Sequence, residues 1–374
     1  MHCYGVAGCP VLIDQVAALA APAHRFLRRA WFAAGGDAGA VTLVGLRSDG
    51  QPFAAIPTLP VGPALAAART VPGSYWPFRG VPLAADCGEA ELTALLSGDQ
   101  ARAALGRVWR LGPVYLGDPA TQMLLRAARR GGWTVLTRGL GSSFVQEIAA
   151  AAAAGRWPDK AKLRRVRAAE RKLAAEACVG FRSVAGVGWS DAVLDDLAAI
   201  EARSWVGQTT DGRGAKFLSP AQRGLWRAAL RDPVLAQMLS AEILDVGGEP
   251  AAFSFDLTVG ACQYAIASSY DSRWASFGPG KIVTWRQLAG ALERGVTRID
   301  WGAGDSGYKR ELGAVEGAEI VDCLFVRGRS LATLLRARWR SPADVSVPAD
   351  GLGPAEQALI ASLGMAAAAI TFLE

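Results

Sequence analysis

The sequence predicts an α/β (α+β) protein made of two similar halves, each a mixed twisted sheet flanked by helices, and three observations carry that expectation. Its 374 residues exceed one average domain and suit two. Hydrophobic residues make up 51% of the chain and charged residues 20%, enough apolar surface for well-buried cores. Finally, two stretches repeat one another: Gly50, Pro52, Ala54, Val61 and Gly62 fall without gaps on Gly248, Pro250, Ala252, Val259 and Gly260, and Trp76 and Gly80 on Trp274 and Gly278. Repetition of spacing and of element order points to duplication.

Each element follows from its pattern. "AVTLVGLRSDGQPFAAIPTLPVG" reads as two strands around an Asp49-Gly50 turn, and "SAEILDVGGEPAAFSFDLTVG" as the same hairpin around Gly247-Gly248. In each half a helical stretch and a further strand follow: "ELTALLSGDQARAALGRVWRLGPV" first, "IVTWRQLAGALERGVTRIDWG" second. Between the halves, Pro158 marks a helix start. Lys160, Arg164, Arg167 and Arg171 then recur on one helical face, and Leu163, Val166, Ala169 and Leu173 on another. A helix from about Asp191 to Trp205 comes next, its Glu201 and Trp205 four residues apart and expected to share a face near its end. "CQYAIASSYD" alternates like a strand, and Lys281 to Arg294 is helical, with Ile282, Trp285, Leu288 and Leu292 as its buried stripe and Gly295 at its C-cap. The uncharged, Ala-rich tract Gln357 to Leu373 suits a packed terminal helix. The expected domains are 1–150, 151–335 and a helical extension over 336–374.

Charge and rare residues narrow the chemistry. The net charge is +6, and Arg156 to Lys172 alone holds eight Lys/Arg against Asp159 and Glu170, so that segment carries the whole excess. A general nucleic-acid coat is therefore not expected, and the basic helix is either a solvated face on a connecting helix or the contact for one local anionic partner, a substrate, a cofactor or an anionic membrane surface. The six cysteines are scattered without CxxC pairs, as in a reduced cytoplasmic protein, and the N-terminus lacks the pattern of a signal peptide. With only His2 and His24, both outside any motif, His-dependent nucleophilic catalysis and His-ligated metal sites are not expected. Carboxylates, Tyr, Lys, Ser and backbone amides are left to do the work, and no metal or permanently bound cofactor is implied.

The chemistry concentrates in the second half. Gly278, Pro279 and Gly280 open a helix, where N–H groups face a field of about half a positive charge, a place suited to phosphate. The next strand ends in "RIDWGAGDSGYKRELG", where Asp300 closes the strand and Tyr308-Lys309 present a phenol and an ammonium. "YD…SFGPGKIVTW…GVTRIDWGAG…YKRELG", with "KAKLRRVRAAERKL" and "IEARSW" upstream, resembles the GNAT-type N-acyltransferases of the BioF2-like and CelD-like group, relatives of the FemAB transferases. The resemblance covers about Trp157 to Val326, with the first half as a degenerate partner.

That resemblance implies tandem GNAT-like domains, an acyl-CoA or aminoacyl-tRNA donor and an amine acceptor. Phe277 to Lys281, including Gly278 and Gly280, would form the pyrophosphate turn, although the full Arg/Gln-x-x-Gly-x-Gly/Ala form is missing. Backbone near Ala267, Ser269 and Tyr270 would polarise the thioester carbonyl. Asp300, Glu201 and Asp271, in that order, are candidates to accept the proton of the attacking amine, with Tyr308 protonating the leaving thiolate and Lys309 holding a phosphate or carboxylate. Trp205, Asp271 and Trp301 are expected on the acceptor side. Acceptors known for similar proteins include sphingoid long-chain bases, as in bacterial ceramide synthases, and amino sugars or polysaccharide precursors, while FemAB-like transfer builds peptidoglycan precursors. The lipid amine leads, because the basic segment from Lys160 to Lys172 suits peripheral contact with an anionic inner membrane. The first half has no Gly-Pro-Gly, so a single active site in the second half is expected.

Overall fold

The computed structural model of the chain describes residues 1–33, 38–62, 68–73, 80–209, 214–304 and 307–339. Trp76 and the expected terminal helix over Gln357 to Leu373 lie outside the described residues. Two compact units emerge, one built from Met1–Ser143 together with the described residues from Gly317 on, the other from Phe144–Glu316.

In the first unit, β1 (His2–Ala7), β2 (Val41–Leu46), β3 (Pro52–Val61) and β4 (Ala68–Thr70) lie side by side antiparallel, and β5 (Val108–Tyr115) joins β4 in parallel. β6 (Thr134–Gln146) begins in this unit and ends in the other. The second unit repeats the order. Its β7 (Val179–Ala185), β8 (Leu239–Val246), β9 (Glu249–Val259) and β10 (Cys262–Tyr270) run antiparallel, and β11 (Arg298–Ala303) adds in parallel to β10. A parallel neighbour needs a crossover, supplied by the Glu89–Ser97 and Asp99–Leu105 helices in one unit and the Pro279–Glu293 helix in the other. The duplication extends to a detail. Both hairpins bulge opposite the proline, at Leu46↔Pro52 and at Asp245↔Pro250, where a residue without an N–H cannot feed the ladder.

The expected domain border needs correction. β12 (Val315–Val326), which falls inside the expected 151–335 domain, returns to the first sheet, pairing antiparallel with β5 from Ile320↔Tyr115 to Val326↔Val108. The Arg329–Arg336 helix follows it, burying Ala332 and Leu335 against Val108, Leu136 and Leu324. Trp109 on β5 stacks on Phe325 of β12 at 3.8 Å between ring centroids.

In the second unit the sheet is covered on both sides, which explains why β9 alternates without an exposed face. Phe253 and Phe255 point one way, onto Phe217 and, for Phe255, Trp226 of the Pro220–Arg231 helix. Ala252 points the other way, with Leu244, beneath Leu173 of the Lys160–Glu176 helix and Ile282 and Val283 of the crossover helix. Asp159 caps the basic Lys160–Glu176 helix by accepting from Ala161 and Lys162. The crossover helix runs from Pro279 to Glu293, with Arg294 as C-cap and Gly295 at φ 81° beyond it.

Candidate active site

The site is built where two parallel strands part company. β10 and β11 are in register only at Cys262↔Arg298, Gln263↔Ile299 and Tyr264↔Asp300. A bulge between Ala265 and Ala267 interrupts the β9–β10 ladder directly after that point. β10 then continues to Tyr270 and β11 to Ala303 without pairing each other. The edge of β10 from Ile266 to Tyr270 thus presents main-chain groups to which an extended amide-bearing ligand can add as a further strand.

Asp300 occupies the last paired position. It is 4% exposed, and its Oδ1 accepts the Gly302 N–H at 3.0 Å. Gly302 and Gly304, each at φ 80°, bend the chain behind it. Lys309 is buried under that bend, its Nζ donating to the carbonyls of Ala303 (2.6 Å), Gly304 (2.8 Å) and Gly302 (3.3 Å). Its ammonium is therefore occupied with shaping the strand end, where the sequence suggested a contact to substrate phosphate or carboxylate. Tyr308, by contrast, is half exposed and meets the buried Trp301 edge-on at 6.4 Å.

The crossover helix begins beside the open edge. Gly278 caps it in the left-handed region at φ 63°, and Pro279 contributes no N–H. The amides of Lys281 and Ile282 already bond the Gly278 carbonyl, at 3.0 and 3.3 Å, so Gly280 holds the first-turn amide without a backbone acceptor among the described residues. A Cβ at Gly280 would stand 3.0 Å from the Tyr270 ring, so the glycine keeps this turn close to the end of β10. Ser269 is buried in the strand just before Tyr270. The Phe277 side chain packs with the core around Leu173 and Ile282, and Lys281 Nζ pairs with Glu311 at 3.4 Å on the surface, a contact worth little.

Comparison with known proteins bears on the fold that carries these residues. Residues 160–310 match the model of the acetyltransferase (GNAT) domain. This segment is similar to a GNAT domain. No curated protein matches the chain at a significant level. Among solved structures, FemX shares the fold with a TM-score of 0.54 at 12% identity, over 82% of this chain and 93% of that one. The C-terminal domain of a putative lysylphosphatidylglycerol synthetase from Agrobacterium fabrum shares it with a TM-score of 0.50 at 13% identity, over 87% and 93%.

Within the matched segment, two expected bases are engaged in structural contacts. Glu201 is buried, and its carboxylate accepts the backbone amides of Lys216 (2.8 and 3.0 Å) and Phe217 (2.7 Å), tying down the segment that leads to the Pro220–Arg231 helix. Burial pushes its pKa up, against the pull of those amides. Asp271 closes β10, accepts the Arg273 amide at 2.9 Å and pairs with the guanidinium groups of Arg203 and Arg273. Burial works to raise its pKa, but the bonds from Arg273 and Arg203 prevail and hold it below the ordinary carboxylate value. The expected Glu201–Trp205 face does not form. The helix stops at Arg203 with Ser204 as its cap, which turns Trp205 out to solvent at 58% exposure while Glu201 stays inside. Trp301 and Tyr308 meet at the strand end that Asp300 closes, and the Gly278–Gly280 turn stands next to Tyr270.

One buried polar group went unnoticed in the sequence. Asp256 on β9 is fully enclosed, accepts the Ser254 hydroxyl at 2.8 Å through Oδ2 and has no hydrogen-bond partner at Oδ1 among the described residues. Burial pushes its pKa up to about 7, with Ser254, the Arg294 charge and Gln263 acting in the opposite direction. The signal was there in "AAFSFDLT", where Ser and Asp interrupt a strand that is otherwise apolar on both faces.

Proposed function

We propose that this protein is an N-acyltransferase that moves an acyl group from acyl-CoA to a primary amine by direct attack in a ternary complex. The observation that carries the reading is the separation of β10 and β11 after Tyr264 and Asp300, which leaves an open strand edge beside a buried carboxylate. On this reading the pantetheine arm lies along the β10 edge, and the pyrophosphate rests on the Gly278–Gly280 turn at the helix N-terminus. The amine nitrogen attacks the thioester carbon. The oxyanion that forms is received by β10 backbone amides near Ala267 to Tyr270, and collapse expels the CoA thiolate. Asp300 accepts the ammonium proton, and the Tyr308 phenol returns a proton to the thiolate.

The acceptor best matched is a lipid amine of the sphingoid long-chain base type. Arg164, Arg165, Arg167, Arg171 and Lys172 stand exposed on the basic helix, a face suited to an anionic bilayer from which such an amine is collected. N-acylation of an amino sugar or polysaccharide precursor uses the same transfer chemistry. A FemAB-like reading, with an amino acid moved from tRNA to a peptidoglycan precursor, has the fold likeness to FemX in its favour. The deciding experiment incubates purified protein with acetyl-CoA or long-chain acyl-CoA and a panel of sphingoid bases and amino sugars, following free CoA thiol and product mass. Thiol release that requires an amine is expected. Absence of turnover across the panel would overturn the acyl-CoA reading.

A further inference from the structure

The first unit buries an unbalanced positive charge. Arg110 on β5 is 1% exposed and Asp322 on β12 is 0% exposed. The Arg110 Nε donates to both carboxylate oxygens, at 2.8 and 2.9 Å. A second guanidinium, that of Arg138 on β6, reaches the same carboxylate from Nη2 at 2.8 Å and Nε at 3.2 Å, and lies 3.9 Å over the Trp339 ring. Two cations thus share one anion among the described residues. Both Nη1 and Nη2 of Arg110 are buried with no hydrogen-bond partner among the described residues.

A purely structural ion pair would be built differently. Burial of charge is tolerated when the charges balance and every donor is satisfied, and it is costly otherwise. Here the charge is one positive in excess among the described residues, and the two Nη groups of the guanidinium, with four N–H bonds in one plane, are left without an acceptor. Burial accordingly lowers the Arg138 pKa, with Asp322 opposing the shift and Arg110 adding to it. The fold also makes room for the arrangement. Asp322 sits at a bulge where Gly112 and Pro113 oppose it, and a Cβ at position 112 would stand 2.8 Å from the Asp322 Cα. Arg110 moreover ends the β4–β5 parallel pairing at Thr70↔Arg110, the place that Asp300 holds in the second unit at Tyr264↔Asp300. The repeated fold therefore carries a cation in one unit at the position of the acid in the other.

We propose that the first unit binds an oxyanion, the carboxylate or phosphate group of a small molecule, on the buried, unpaired Nη groups of Arg110. A planar fork of N–H donors matches two oxygens of such a group, and the excess charge is then neutralised. This inference does not depend on the transfer reaction assigned to the second unit.

Thermal unfolding of the full chain in acetate, phosphate or chloride at fixed ionic strength tests it. The midpoint is expected to rise with acetate or phosphate concentration relative to chloride, since a ligand of the native state alone stabilises it by mass action. Arg110→Met is expected to abolish that dependence. Arg138→Gln, which leaves a balanced Arg110–Asp322 pair, should weaken it at least tenfold and serves if the first variant does not fold. A wild-type midpoint that follows ionic strength alone overturns the proposal. So does an anion effect that survives Arg110→Met unchanged, which would place the binding elsewhere, for phosphate at the Gly280 turn. The midpoint rising with both acetate and phosphate marks a general oxyanion site, and a rise with one alone names the group that the site accepts.

Discussion

Lys309 and Asp300 are nine residues apart in sequence and lie at the same strand end, yet their work differs. Lys309 spends its ammonium on three carbonyls, so Lys309→Met is expected to destabilise the fold by about 2–3 kcal/mol, read by urea unfolding, without a matching rise in KM for the donor. A selective loss of donor affinity at full stability would restore the phosphate-binding role. Asp300→Asn is expected to lower turnover at least tenfold, about 1.4 kcal/mol in the barrier, with unfolding unchanged. A wild-type rate in that variant removes Asp300 from the mechanism. Asp256 makes a different kind of prediction. Its pKa rises from 3.8 unfolded to about 7 folded, so between those values the native state keeps a proton that the unfolded chain has released. Stability therefore falls as pH climbs from about 4 to about 7 and levels off above, a slope that Asp256→Asn should flatten with Arg294, Glu242 and Ser254 in place. Unfolding free energies of both proteins across that range provide the comparison. Buried Glu201 contributes in the same direction, which is why the difference between the two proteins, and not the wild-type slope, is the quantity to read.

At the scale of elements, the helices and hairpins were legible because their patterns are local. The Gly-Pro-Gly start of the crossover helix and the paired hairpins stand where periodicity and turn chemistry put them, while Gly295, expected at the C-cap, falls one residue beyond Arg294, which holds that place. Helix ends were less legible. Asp191–Arg203 stops two residues early because the Ser204 hydroxyl bonds the Glu201 carbonyl at 2.7 Å and its amide does the same at 3.1 Å, and that stop separates Trp205 from Glu201. Two predictions belong here. Gly280→Val adds bulk against the Tyr270 ring and is expected to raise KM for acyl-CoA several-fold with little change in stability, and an unchanged KM would move the pyrophosphate away from this turn. Replacing Arg164, Arg167 and Arg171 with Gln is expected to reduce co-sedimentation with anionic vesicles but not with zwitterionic ones. Equal binding by wild type and variant would return the basic helix to an ordinary solvated face.

The whole molecule is a duplicated sheet whose halves have diverged at one equivalent position, an acid at 300 and a cation at 110. One acyl-CoA per chain is therefore expected in a calorimetric titration, and a stoichiometry of two would mean that the first unit also keeps a donor site. The sequence by itself determined the two halves, their common element order, the basic helix that leads into the second and the stretch from Tyr270 to Leu312 that holds the candidate site. These are properties of spacing within about twenty residues, where a strand or helix period leaves its mark. Only the tertiary structure decided which charged groups are free for chemistry. Glu201 is consumed by amides 15 and 16 residues away, Asp271 by Arg203 at a separation of 68, and Arg110 meets Asp322 across 212. Such pairings are set by sheet register and by the return of β12 to the first unit. No local period records them, because the residues become neighbours only when distant strands are laid side by side.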